Sequence, residues 1–173
     1  MMTKKRGFTL VELMVVMAMT AIMISVTIVS LSGSRDKKAV ESEARKFAAV
    51  VREAQNYALT GKQFASGRVT CSIGVDPIAG DPEPDESYRV AYAYRNGADC
   101  ASGTSSGTVA MNTLSNGVKF SGSDVPAFNF AVPRGETGLG SVLRIGLSKG
   151  SAIYSVCVYP TGRVEDVSGV SCP

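Results

Sequence analysis

The sequence predicts an α+β chain: one long N-terminal helix followed by a strand-rich domain. Three patterns predict it. Residues 8–31 are predominantly apolar, with Glu12 as their only charge. Residues 35–60 place apolar side chains at helical spacing. After Gly61 the apolar period becomes two.

The first seven residues, MMTKKRG, put Lys4, Lys5 and Arg6 before a small residue. The segment FTLVELMVVMAMTAIMISVTIVSL follows. As a helix, residues 8–31 would span about 36 Å at 1.5 Å per residue, enough for a hydrocarbon core of ~30 Å. The basic residues before it would stay cytoplasmic, with the rest of the chain outside. An ordinary secretory signal has a shorter apolar region of about 7–15 residues, although Ser30-Leu31-Ser32 is a passable cleavage site. A plain anchor explains the length but not Glu12. A charge in an apolar helix costs a few kcal/mol and calls for a partner. In the first helical turn the macrodipole favours it.

Residues 4–13, KKRGFTLVEL, resemble the class III signal of type IV pilins and type II secretion pseudopilins. The resemblance covers about the first quarter of the chain. It implies cleavage between Gly7 and Phe8 by a prepilin peptidase, N-methylation of Phe8, and retention of Glu12 for assembly. Glu12 would pair with the new α-amino group of its own or a neighbouring chain. Between chains, such a pair would fix register, because an unpaired buried carboxylate penalises a wrong stagger. The implied location is the inner membrane, single-pass with a periplasmic head, then a pilus or pseudopilus filament. The implied partners are other pilin or pseudopilin subunits, the peptidase and membrane lipid.

Beyond Ser32-Gly33-Ser34, which weakens a helix without ending it, Val40, Ala44, Phe47, Val51, Ala54 and Ala58 form one stripe. A soluble domain packed on that stripe is expected. A coiled coil is the alternative, though the run is short. Gly61 suits the helix C-terminus. The expected organisation is a leader at 1–7, an assembly or transmembrane half-helix at 8–31, an amphipathic half at 32–61, and a β-rich head at 62–173. This is the pilin lollipop.

In the head, residues 69–75, 88–94, 128–132, 143–147 and 154–158 alternate and are broken by turn residues. They read as antiparallel strands of a sheet or sandwich, with 102–106 as a loop. Four cysteines allow three connectivities. Proximity favours Cys71–Cys100 and Cys157–Cys172, and the second agrees with the C-terminal staple common in pilins. A zinc site lacks any C-x-x-C spacing.

Composition narrows the chemistry. There are no histidines, which removes the commonest general base and metal ligand. No catalytic pattern emerges among the Ser, Asp and Lys residues, and an enzyme is not expected. Lys4, Lys5 and Arg6 supply three of the 18 basic side chains, so the 15 that remain after residue 7 balance the 15 acidic ones. The loop at 76–86, DPIAGDPEPDE, is dense in carboxylates that suit Ca²⁺, but it fits no EF-hand and reads as solvated. No cofactor is otherwise expected.

Two short stretches resemble the GspH/FimT group of minor pilins and pseudopilins. One is the helix exit from Ala44-Arg45 to Thr60-Gly61-Lys62. The other is Val158-Tyr159-Pro160-Thr161-Gly162-Arg163-Val164. That group includes pilus-priming and secretion-tip subunits and DNA-binding members, which makes Arg163 a candidate DNA contact. Here Glu165 and Asp166 follow, and they would repel phosphate. Arg134, Arg144 and Lys149 are the other basic residues of this half.

Overall fold

A computed structural model describes residues 8–64, 66–77, 86–95, 100, 104–122 and 125–173; the side chains of 26–32 lie outside the description. Helix α1 (Leu10–Leu59) is followed by β1 (Val69–Pro77), β2 (Ser87–Arg95), β3 (Ser105–Thr113), β4 (Lys119–Ser121), β5 (Phe128–Ala131), β6 (Leu143–Lys149), β7 (Ala152–Val158) and β8 (Val164–Ser168). The chain is α+β, as its patterning predicts. It divides into two compact units, Met1–Arg35 and Asp36–Pro173; the second is called the head below.

In the first unit the described side chains of α1 form no buried face. Side chains from Leu10 to Ile24 are exposed, among them Leu10 at 75% and Met23 at 75%. Successive residues 13–17 point round a full helical turn, so the apolar surface is not a stripe but a sleeve. Among the described residues no helix is long and apolar enough to cross a membrane. The described side chains of this sleeve end at Ser25, about 24 Å of helix from Leu10.

Within the head, α1 is amphipathic. Val40, Ala44, Phe47, Val51, Ala54 and Ala58 are each at most 1% exposed. Ala48 and Glu43 join them, so the buried face is wider than the expected stripe. α1 ends in a Schellman turn. Gly61 takes φ 61°, its N–H donates to the Ala58 carbonyl (3.2 Å), and Lys62 N–H donates to the Tyr57 carbonyl (3.0 Å). A residue with a Cβ would resist that left-handed position.

Two antiparallel four-stranded sheets cover the helix stripe, in the orders β3-β2-β1-β5 and β4-β6-β7-β8. Val75, Val90, Phe128 and Phe130 from the first join Phe120, Ile145, Leu147, Val156 and Val158 from the second in one core. Phe47 ties them together. Its ring meets Tyr88 of β2 edge-on at 4.9 Å and Phe120 of β4 at 5.4 Å. Every residue of this core, and both disulfides, lies within the head.

The structure departs from the sequence expectation at three strands. Residues 105 and 106, expected in a loop, begin β3. The short β4 and the charged β8 carry no alternating run, and they are set by pairing with β6 and β7.

Burial pushes the Tyr88 hydroxyl up to about 12, and the charge of Glu43 adds to the shift. An unfolded tyrosine titrates near 10. The stability this group lends is therefore full below pH 10 and lost as pH rises through 12. Melting temperature should fall more steeply between pH 10 and 12 for the wild type than for Tyr88→Phe. Equal slopes in thermal melts of the two proteins would count against this.

Candidate functional site

The start of α1 is built by its own sequence. Glu12 N–H donates to Thr9 Oγ1 (3.3 Å), and Leu13 N–H donates to the Thr9 carbonyl (3.2 Å). Thr9 is therefore the N-cap. Leu10, Val11, Glu12 and Leu13 occupy the first four helical positions, and Phe8 stands just outside. Thr9-Leu10-Val11-Glu12 has the capping-box sequence, while Phe8 and Leu13 hold the two hydrophobic-staple positions. Glu12 is the acidic residue of the first turn, where the free N–H groups favour an anion. The cap is written in the sequence as T-x-x-E before an apolar run, although Thr9 is not among the predicted site residues.

The site thus combines three features. A helix start is fixed one residue beyond Phe8. Phe8 itself is 82% exposed. A carboxylate stands alone in the first turn at the mouth of an apolar sleeve. Gly7 lies outside the described residues. Apolar surface of this extent on a soluble monomer marks an interaction face.

The other predicted residues are structural in their surroundings. The structure pairs Cys71 with Cys100 (S–S 1.98 Å) and Cys157 with Cys172 (2.01 Å). The second bond closes a loop of sequence separation 15 and ties the C-terminus to β7; a loop of that length contributes about 3 kcal/mol in the chain-entropy account. In the acidic loop, Asp76 pairs with Arg89 (2.8 Å) and Glu86 with Lys119 (3.3 Å). Residues 78–85 lie outside the description. Among the described residues no cluster of three or more His, Cys, Asp or Glu could hold a metal ion.

Arg163 follows the turn between β7 and β8. Its guanidinium lies 4.1 Å from the centre of the Tyr159 ring and 3.2 Å from the Glu165 carboxylate. Lys149 pairs with Asp36 at 3.1 Å. The positive charges of Arg163 and Lys149 thus have acidic partners within the head.

A family model described as the prokaryotic N-terminal methylation motif matches residues 2–31. No curated protein and no solved structure matches the chain. The chain therefore carries a type IV prepilin-like signal. Its helix leads into antiparallel sheets, an arrangement consistent with the α+β pilin fold.

Proposed function

We propose that the chain is a filament subunit of a type IV pilus or type II secretion pseudopilus. In this reading residues 1–7 are removed by a prepilin peptidase, and the new N-terminus, Phe8, is methylated. Residues 8–31 hold the precursor in the inner membrane, with the head in the periplasm. On assembly the same residues exchange lipid for the helices of neighbouring subunits. One observation carries the reading: the described side chains of the α1 sleeve are exposed all round, and its single charge is the Glu12 carboxylate in the first turn, within the matched methylation motif. The sleeve supplies non-directional attraction. Glu12 supplies the stagger, since only the register that brings a cationic N-terminus to it satisfies its charge. The helix exit and the Gly162-Arg163 stretch support a minor subunit of the GspH/FimT kind. Capture of DNA by Arg163 draws no support from its surroundings, because Glu165 already meets its charge.

The test is Glu12→Ala. Mass spectrometry of the membrane-extracted protein should find the same mature N-terminus at Phe8 as in wild type. The amount recovered in sheared filaments should drop by at least about tenfold, the effect of ~1.4 kcal/mol per subunit contact. Filaments containing the variant at wild-type level would end the registry role.

A further inference from the structure

The two sheets present four edges, and three of them are closed. On β5, Phe130 bridges to Thr137 and Ala131 N–H donates to the Glu136 carbonyl (2.9 Å), so the following turn occupies that edge. β4 has 3 residues and starts with the charged Lys119. β8 carries Glu165 and Asp166. Arg52 of α1 reaches over it to the Val164 carbonyl (3.2 Å) and to Asp166 (2.9 Å). These are the ordinary ways of blunting an edge: shortness, charge and cover.

Among the described residues, β3 shows none of them. It runs for 9 residues, SSGTVAMNT, without charge or proline. It pairs with β2 on one side, and among the described residues no strand pairs with the other. It does contain a bulge. Val90 faces Ala110, the next pair is Ala91 with Thr108, and Val109 is the extra residue. A bulge turns adjacent side chains to one side, and here Val109 and Ala110 both line a groove against α1. Val50, Glu53, Ala54 and Tyr57 form its helix wall, with the Tyr57 hydroxyl donating to the Glu53 carboxylate, and its volume is about 110 Å³. That is smaller than the ~150 Å³ known to admit a benzene ring, and it suits one branched aliphatic side chain. The bulge leaves Ala110–Thr113 as a regular stretch beside this groove.

We infer that β3 is the acceptor edge for an extended strand of a different polypeptide. That strand adds to Ala110–Thr113 through its backbone and lays one aliphatic side chain in the groove. The backbone groups of an open strand are matched by another strand, which defines the ligand as an extended segment with an aliphatic side chain near its middle. The choice of a different polypeptide rests on the filament reading. A second copy offers no free sheet edge among its described residues except its own β3. A β3–β3 pair has two-fold symmetry and closes as a dimer, whereas filament subunits meet head to tail.

The experiment uses the full chain, ¹⁵N-labelled in detergent micelles. The probe is a blocked peptide, Lys-Thr-Val-Thr-Val-Thr-Lys, and its control is the same peptide with alternate backbone nitrogens methylated. With the unmodified peptide, the β3 amides that face away from β2 should exchange with solvent roughly tenfold more slowly, as newly formed strand pairs do. β8 amides should not change, and the methylated peptide should have no effect. Three results would overturn the inference: no slowing at β3, equal slowing with the methylated peptide, or a chain that sediments as a dimer with its β3 edge already protected. Micelles hold no filament, so none of these results bears on the Glu12 test, nor does that test bear on β3.

Discussion

Phe47→Ala should destabilise the head by about 3–5 kcal/mol, the range for emptying a buried aromatic site. Phe47 is fully buried and is the one ring in edge contact with both Tyr88 and Phe120. Those two residues belong to different sheets. The deletion therefore opens a cavity at the junction of three elements, where no single element can shift to fill it without leaving the others. Against a typical total of about 5–15 kcal/mol, such a loss brings the head close to unfolding at growth temperature. Denaturant titration of residues 36–173 should show a lower midpoint with an unchanged slope. The exposed Met111→Ala should stay within about 0.5 kcal/mol of wild type. A Phe47→Ala loss below about 1 kcal/mol would mean that the two sheets do not share this core. Processing should be unaffected, because the signal lies in residues 2–31. The pair of variants separates the units: Glu12→Ala spares the head and Phe47→Ala spares the signal.

How much of this was legible follows from what each segment depends on. The stripe from Val40 to Ala58 was readable because an amphipathic helix writes its buried face into a local period. All six of its residues are buried. Glu43 was not readable as part of that face. It is 3% exposed, and that burial depends on how the sheets close over the helix, whereas its 2.8 Å pair with Lys46 is local to the helix, three residues on. Strands with alternating large residues, such as residues 88–94, were visible for the same local reason. β3 was not, because it has few large apolar residues to alternate and its Gly, Ala and Asn are depleted in strands. Tyr92 lies over Gly107 at a distance no Cβ would permit, so small residues there serve the neighbouring strand rather than their own. β8 was hidden by Glu165 and Asp166; it is a strand because it pairs with β7, and Asp166 finds its cation, Arg52, 114 residues away in sequence. At the assembly site the lone carboxylate was conspicuous in the sequence. The cap at Thr9 required reading the same four residues as a helix start rather than as a signal.

The Gly162-Arg163 pair, singled out from sequence as a possible contact with DNA, divides in the structure into a structural glycine and a surface arginine. Gly162 takes φ 88°, a region that costs a residue with a Cβ about 1–2 kcal/mol. A Cβ there would also lie 2.6 Å from Gln55 Nε2 and against the Gly135 carbonyl oxygen. The side-chain amide can move, but the carbonyl belongs to a backbone turn and cannot move alone. The turn at 159–163 is clamped onto its neighbour, since Thr137 N–H and hydroxyl both donate to the Pro160 carbonyl (3.0 and 3.2 Å). Gly162→Ala must lift this turn off α1 and break those bonds. We expect a loss of about 2–4 kcal/mol, the sum of backbone strain and lost hydrogen bonds. Arg163→Ala removes an exposed ion pair and should cost no more than about 1 kcal/mol. Thermal melts of both variants decide the matter. If Gly162→Ala melts with the wild type while Arg163→Ala does not, the turn is not packed on the helix and the motif's importance passes to its charge.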